Sequence, residues 1–422
     1  MDLASKLFRG DRVIWIIFMF LCLISLVEVF SATSTIAYKN ANHWAPIVRH
    51  GTHLFIGFLG VLALHNIPCK YFSALFVVLM PAAIGALILT PFIGIDANDA
   101  HRWLEIGGIS FQPSELGKLA CVVFVAFKLS KRDETNENQI FKSILIGVGL
   151  ICILIFPENF STSVMLFTVC FLMMFIGQLP LKKLGMLAIA LVILGVTFLA
   201  VIKFTPPAMM QYLPDRVKTW QARLERFADD QNGELGDGVY KLTDENFQVT
   251  HAKIAIARGG VFGQLPGHGQ QRDFLPQAYS DFIYAIIIEE LGFAGGAFVL
   301  LLYIMLLVRV GMIARKCDKL FPKYLVLGCG LLVVVQALAN MAVAVNLVPV
   351  TGQPLPLVSR GGTSTIITCI YFGIILSISR FGAGIRNEEE ETEEGSEGTP
   401  GKILTETAGM DEKENPITVV QS

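Results

Sequence analysis

Apolar residues in this chain come in long blocks rather than in alternation: 13–33, 52–67, 72–94, 114–129, 141–156, 161–178, 184–202, 282–308, 324–346 and 363–379. Most approach the roughly 17–25 residues that a helix needs to cross the hydrocarbon core. Only helices and closed barrels satisfy the backbone there. The pattern therefore predicts an all-α polytopic membrane protein with about ten transmembrane helices and a large extracytoplasmic loop, about 203–280, between helices 7 and 8. Two blocks are atypical. The fourth is short and carries charges. The fifth and sixth are separated only by Pro157-Glu158-Asn159, so they form a tight hairpin or a re-entrant pair.

Lys and Arg near segment ends set the orientation. Lys6, Arg9, Arg12, Lys70, Lys131, Arg132, Lys182, Lys183, Arg309, Arg315, Lys316, Arg380 and Arg386 all fall on one side if every block spans, and that side is the cytoplasm. Both termini are then inside. This divides the chain into a cytoplasmic N-terminus (1–12), a membrane domain (13–383) and an acidic tail (384–422). The tail, NEEEETEEGSEGTPG and onward, has too few apolar residues to fold and is expected to be disordered. In the outer loop, Arg216 to Asp229 places Trp220, Leu224 and Phe227 on one helical face. It reads as an interfacial amphipathic helix or as one packed on the protein's own outer surface.

Composition agrees: of 422 residues 53% are hydrophobic and 16% charged, with net charge -2. The chain shows no soluble domain, no Walker or dinucleotide fingerprint, no zinc signature and nothing that points to nucleic acid. The eight cysteines have no CxxC spacing and none falls in a predicted outer loop, so neither a disulfide nor a cysteine metal site is expected.

Candidate chemistry gathers on the predicted outer face. The stretch from Gln248 to Gly292 carries a glycine-rich loop and then Ser280-Asp281-Phe282 at the start of an apolar block. Asp281 is a general base or a helix cap, since Asp favours helix N-termini. Glu289 and Glu290 lie two turns further along, roughly 12–14 Å deeper if the helix is straight. Ionisable groups inside a membrane segment point to function. A second cluster holds Arg102, Trp103, Glu115 and Lys118; the last two share a helix face and should pair, for structure or for catalysis. Pro157 to Thr162 reads as a plain turn. The fourth cluster, NLVPVTGQPLPLVSRGGTS from Asn346 to Ser364, is a fixed non-helical segment lining a cavity.

Three stretches in this order, RWLEIGGISFQPSELGKLA, SDFIYAIIIEELG and PLPLVSRGGTS, resemble the signatures of the SEDS family (FtsW/RodA type) over roughly residues 10 to 383. The resemblance implies polytopic peptidoglycan glycosyltransferases that polymerise lipid II and release undecaprenyl pyrophosphate, and the motifs look more like the division branch than the elongation branch. It places the catalytic aspartate on Asp281. It places the family's RW motif on Arg102 and Trp103 and its Glu/Lys pair on Glu115 and Lys118. The leaving diphosphate needs positive charge, for which Arg102, Arg258 and Arg360 are candidates; with Trp103, Glu115, Lys118 and Ser359 these make the candidate substrate-binding residues, and Glu289, Glu290, Gly361 and Gly362 the structural or gating ones. Two departures stand out: Arg360 replaces the family's Tyr, and the family's PDxGT-like motif reads PENFST. Lipid II, a class B penicillin-binding transpeptidase, the membrane and division proteins are the implied partners. A divalent cation, magnesium or manganese, is a candidate cofactor, and no organic cofactor is expected. The competing readings are a lipid II flippase or other transporter, and a non-catalytic scaffold.

Overall fold

The computed structural model describes residues 8–39, 45–96, 101–106, 109–133, 135–204, 217–218, 220–223, 227, 247–275 and 279–397. The chain divides into two units, Met1–Ala383 and Gly384–Ser422. Each apolar block becomes helical, the eighth with a break inside it: α1 (Arg12–Lys39), α2 (Ala45–Leu64), α3 (Phe72–Ile93), α4 (Pro113–Ser130), α5 (Glu137–Ile155), α6 (Phe160–Ile176), α7 (Leu181–Phe204), then, after the short α8 (Phe247–Gly259), α9 (Ile283–Arg315), α10 (Leu320–Ala344) and α11 (Thr363–Glu397). Among the described residues seven helices are long and apolar enough to cross a membrane, or eight if the bent pair Cys69–Leu75 and Val77–Ile93 is one span. That is fewer than the ten predicted spans. The helix Phe160–Ile176 is apolar but shorter, and Pro113–Ser130 carries Glu115, Lys118 and Lys128. The α11 helix continues beyond its apolar part, which ends at Phe381, into the acidic residues as far as Glu397.

The expected all-α architecture is observed except at one place. A three-stranded antiparallel sheet, β1 (Ile95–Asp96), β2 (His101–Ile106) and β3 (Ile109–Phe111), joins α3 to α4. Ile106 pairs with Ile109 and Leu104 with Phe111, leaving only Gly107 and Gly108 between the strands. A Gly-Gly pair flanked by alternating residues is a hairpin signal.

Helices α4, α9 and α10 make the centre. Most of α4 is buried although it carries charge, and 72% of the α10 span is buried within the protein. By contrast only 6% of the α7 span is buried, and its exposed Met186, Ile189, Val192 and Val196 present an apolar face suited to lipid.

Helix α9 is not straight. Gly292 has φ 73 and ψ -178 in mid-helix, a conformation that glycine adopts without penalty. Tyr284 Oη donates to the Gly296 carbonyl at 3.1 Å. In a straight helix residues 12 apart lie about 18 Å apart, far beyond the reach of one tyrosine. The segment 283–291 therefore folds back along the segment after the break. The glycine loop fills the gap: Gln264 and Leu265 donate backbone N–H to the carbonyls of Glu289 and Glu290, and Phe293 and Ala294 donate to Gly260 and Val261. A Cβ on Gly263 would sit 2.2 Å from the Glu290 carbonyl oxygen, so the approach requires glycine.

Candidate functional site

Asp281 lies one residue before the α9 N-cap, which is Phe282, and no side chain caps that helix. The capping role is thus set aside. The Asp281 carboxylate instead accepts from Ser280 Oγ at 3.0 Å. It keeps some surface exposed, yet protein surrounds it on nearly every side. Burial raises its pKa above the usual carboxylate value, while the Ser280 hydrogen bond and the charges of Arg223 and Arg102 pull it back.

The segment between α10 and α11 passes beside this carboxylate. Gly352, at φ 69, faces Asp281 Oδ2: a Cβ there would lie 3.6 Å from it. As the proline- and glycine-rich sequence predicts, the segment is non-helical and held through its backbone. Gln336 Nε2 donates to Pro354 O at 3.0 Å, Tyr303 Oη to Pro356 O at 2.6 Å, Ser25 Oγ to Val358 O at 2.9 Å and Arg223 to Val350 O at 3.2 Å. The carboxamide of Asn340, 1% exposed, donates both hydrogens, to Asp281 O at 2.9 Å and to Gln353 O at 2.8 Å. Gln353 Nε2 reaches Thr162 Oγ1 at 2.7 Å and Asn159 Oδ1 at 3.5 Å. Thus Asn340 ties the backbone of the candidate base to the segment opposite, and the Gln353 side chain ties that segment to α6.

Ser359 is structural as well as near: its hydroxyl donates to Ser280 O at 2.6 Å and accepts from Leu355 N at 2.7 Å. Arg360 stacks over the Tyr279 ring at 5.2 Å and its N–H donates to Tyr279 O. Burial, with Arg49 nearby, lowers its pKa. A Cβ on Gly361 would lie 2.1 Å from Ser364 Oγ, so that hydroxyl would have to turn away from the Gly361 carbonyl it bonds, and Gly362 has φ 55. Ser359 and Arg360 thus hold the backbone at Ser280 and Tyr279, next to Asp281, from the α11 side.

The second cluster is partly assembled here. Arg102 donates through Nε to the Glu158 carbonyl at 2.8 Å and contributes charge at Asp281. Trp103 pairs with Ile95 in the sheet. Glu115 and Lys118 form the predicted pair at 2.8 Å, and both are buried. Lys118 Nζ also donates to Gln336 Oε1 at 2.9 Å, which links the pair to Pro354 through one glutamine. Arg258 is exposed and bonds Gln270 Oε1 at 2.5 Å; among the described residues no contact joins it to Asp281.

Glu289 and Glu290 require a correction. The expectation of depth rested on a straight helix, and the break at Gly292 removes it. On α1, Ser25 meets Val358 whereas Ser31 meets Glu290, six residues and about 9 Å closer to the C-terminal end of α1. Glu290 thus lies beside the corner. Glu289 accepts from the N–H groups of Gln270 and Gln271 at 3.0 and 3.2 Å. Arg272 bridges Ser31 at 2.6 Å and Glu290 at 3.4 Å. Both glutamates join the glycine loop to the broken helix.

Sequence reasoning missed Arg223 as a site residue. It sits in the segment whose Trp220 packs among Phe156, Phe160 and Phe198 at 5.4, 5.5 and 5.7 Å. For the described residues the amphipathic stretch is therefore packed on the protein itself. Asn159, in the presumed plain turn, N-caps α6 by accepting from Thr162 N at 3.2 Å. All eight cysteines are free thiols. Among the described residues no three His, Cys, Asp or Glu converge to hold a metal ion.

Comparison with known proteins adds three findings. Residues 11–383 match the FtsW, RodA and SpoVE family, described as a cell cycle protein. The chain is 31% identical over 365 residues to a probable peptidoglycan glycosyltransferase FtsW of Taylorella equigenitalis, covering 84% of this chain and 94% of that one. A protein of the same description from Nitrosococcus halophilus is 31% identical over 369 residues, covering 84% and 89%. Among solved structures, a chain of a peptidoglycan synthase complex that coordinates polymerization and crosslinking superposes with a TM-score of 0.70 at 22% identity, covering 88% of this chain and 98% of that one. The rod shape determining protein RodA of Thermus thermophilus gives 0.61 at 22%, covering 88% and 97%. At that identity the likeness is one of fold, the polytopic helical fold just described.

Proposed function

This chain belongs to the FtsW, RodA and SpoVE family of cell cycle proteins, and we propose that it is a peptidoglycan glycosyltransferase that polymerises lipid II into glycan strands during cell division. The observation that carries the reading is Asp281: a carboxylate with a raised pKa, free of any capping duty, flanked by the charges of Arg102 and Arg223. In the reaction Asp281 removes the proton from the acceptor sugar hydroxyl as that oxygen bonds the donor anomeric carbon. The anomeric carbon–oxygen bond to the diphosphate breaks, and undecaprenyl pyrophosphate leaves with the electron pair. Arg102 and Arg223, whose charges reach Asp281, supply positive charge to the diphosphate as it leaves. Buried Lys118 and Glu115 act at one remove, through Gln336 and the segment beside Asp281. A magnesium or manganese ion carried in on the diphosphate would neutralise the charge of the leaving group; Asp281, as the base, is not its ligand, and among the described residues no three His, Cys, Asp or Glu converge to hold one. Purified protein incubated with lipid II should yield a ladder of glycan strands on a gel; a flippase would move lipid II and leave it unconsumed.

The chain is an integral membrane protein. The Lys and Arg asymmetry supports an arrangement with both termini in the cytoplasm and Asp281 on the outer face. Single cysteines placed in 229–246 should react with an impermeant thiol reagent in intact cells, and those placed in 384–422 should not. Tail labelling from outside would reverse the orientation.

For crosslinking, the chain needs a partner. We assign that role to a class B penicillin-binding protein that docks through its membrane helix, with further division proteins as candidate companions. The fold likeness to a chain of a synthase complex supports this. Detergent co-purification should recover the transpeptidase, and strand synthesis should rise in its presence; full activity alone with no recovered partner would overturn the assignment.

A further inference from the structure

Arg49, His50 and His53 lie close together on α2, near the start of its membrane span at Ile47, and the last shares a face with the first two. Two hydrogen bonds join this turn to the segment before α11. His50 Nε2 meets Ser25 Oγ at 2.7 Å, and Ser25 Oγ donates to Val358 O at 2.9 Å, two residues before Arg360. The charges are near enough to act on one another: Arg49 on Arg360, and Arg360 on His50. No anion answers them. Among the described residues neither arginine has an ion pair or a side-chain hydrogen bond, and half-buried Arg360 has only the face of the Tyr279 ring. His53 Nδ1 is taken up by the Arg49 carbonyl at 2.6 Å. His50 is 1% exposed. Ser25 gives its one hydrogen to Val358, so Nε2 is the donor in the His50–Ser25 bond, and Nδ1 is left with no partner among the described residues. A half-buried cation pressed by a second and met by no anion is costly to hold. A buried polar atom with no partner calls for a ligand, a water or an ion.

Guanidinium groups fit phosphate oxygens with paired, charge-assisted hydrogen bonds. Arg49 stands at the end of a membrane span, the level at which lipids carry their phosphates. We propose that Arg49, His50 and Arg360 form a binding site for the phosphate group of a lipid-anchored ligand. Arg360 replaces the family's Tyr, so the site is a feature of this chain. Two sources carry this chemistry at the membrane edge. One is the diphosphate of a polyprenyl-linked sugar, such as the one an acceptor keeps through the reaction. The other is a phospholipid headgroup. The charges that reach Asp281 are those of Arg102 and Arg223, so Arg49 and Arg360 make a second cationic pair. The proposal stands on their unpaired charges and goes beyond the reaction inferred above.

Native mass spectrometry of the full-length protein in detergent counts bound lipids one by one. The protein is titrated separately with undecaprenyl pyrophosphate, with phosphatidylglycerol and with uncharged undecaprenol. Arg49→Gln and Arg360→Tyr should each weaken a phosphate-bearing lipid about tenfold, the effect of losing a hydrogen bond to a charged group, and leave undecaprenol unchanged. Arg360→Lys keeps the charge and should lose less. Both neutral variants relieve a repulsion and should melt no lower than the wild type without lipid. Arg49 is exposed, so Arg49→Gln carries the test even where a change at Arg360 disturbs the fold. A loss confined to undecaprenyl pyrophosphate identifies the polyprenyl diphosphate as the source, and one confined to phosphatidylglycerol the headgroup; either keeps the site. No loss for either lipid in the folded variants, or an equal loss for undecaprenol, overturns it. Strand synthesis from lipid II is read in parallel. Strands with unchanged lipid binding in the variants would overturn the site alone, and charge-dependent binding by a wild type that makes no strands would overturn the enzyme reading alone.

Discussion

Asp281→Asn protein should insert, purify folded and bind lipid II, yet make no detectable glycan strands. The substitution holds shape nearly constant and removes one property, the capacity to accept a proton. General-base catalysis contributes about 10²–10⁴-fold, and a loss of that size is expected in the rate of strand synthesis. Two structural features sharpen the contrast. Asp281 does not cap α9, so no helix-end stabilisation is at stake. Its backbone carbonyl, not its side chain, is what Asn340 holds, so the tether survives the change. Near wild-type strand synthesis by the folded variant would remove Asp281 from the mechanism.

The raised pKa adds a pH signature. Burial is its largest cause, offset by Ser280 and the two arginines. Sign matters here. The folded state holds this proton more tightly than the unfolded chain, so the stabilisation from protonation is complete below the ordinary carboxylate pKa. It fades as pH rises through the raised value. Above it the protein carries a partly buried charge at a cost in stability, which Asn abolishes. Asp281→Asn should therefore melt at or above the wild-type temperature at neutral pH. The acid limb of the wild-type rate profile should lie above the ordinary carboxylate range, because only the charged form is a base. A limb at the ordinary carboxylate value would mean a solvated group.

The long apolar blocks made the helical architecture legible, because length and composition decide it. Asp281 and the segment from Asn346 to Ser364 were legible for a related reason: polar or helix-breaking residues next to membrane spans have few structural excuses. The break at Gly292 was not, since apolar residues flank IIIEELGFAGG on both sides and block length alone reads one continuous span. That single glycine changed the place of Glu289 and Glu290. Gln336 and Asn340 carried a signal that went unread. They lie four apart in the otherwise apolar VVVQALANMAV, one face of a helix, and polar residues in such a span mark a buried task. What no pattern reveals is the partner. That Asn340 meets Asp281 and Lys118 meets Gln336 depends on how α10 packs against α9 and α4.

That packing sets the second large effect, at Lys118. The ammonium is 0% exposed and has two partners, Glu115 at 2.8 Å and Gln336 at 2.9 Å. Lys118→Met leaves Glu115 charged and buried with no cation beside it. Breaking a buried pair by removing one member costs about 3–5 kcal/mol. Folded yield should drop severely, whereas Lys131→Met, at an exposed position, should change little. The double variant Glu115→Gln, Lys118→Met removes the stranded charge, and replacing both members of a buried pair is often close to neutral. Its yield should recover most of the way. Activity should recover less, because Gln336 Oε1 has still lost its donor and Gln336 is what fixes Pro354 beside the reaction centre. Recovered yield with depressed strand synthesis would separate the pair's work in folding from its work in positioning. Equal recovery of both would confine Glu115 and Lys118 to stability. A Lys118→Met protein matching the wild type in yield and rate would mean that the pair is solvated and incidental.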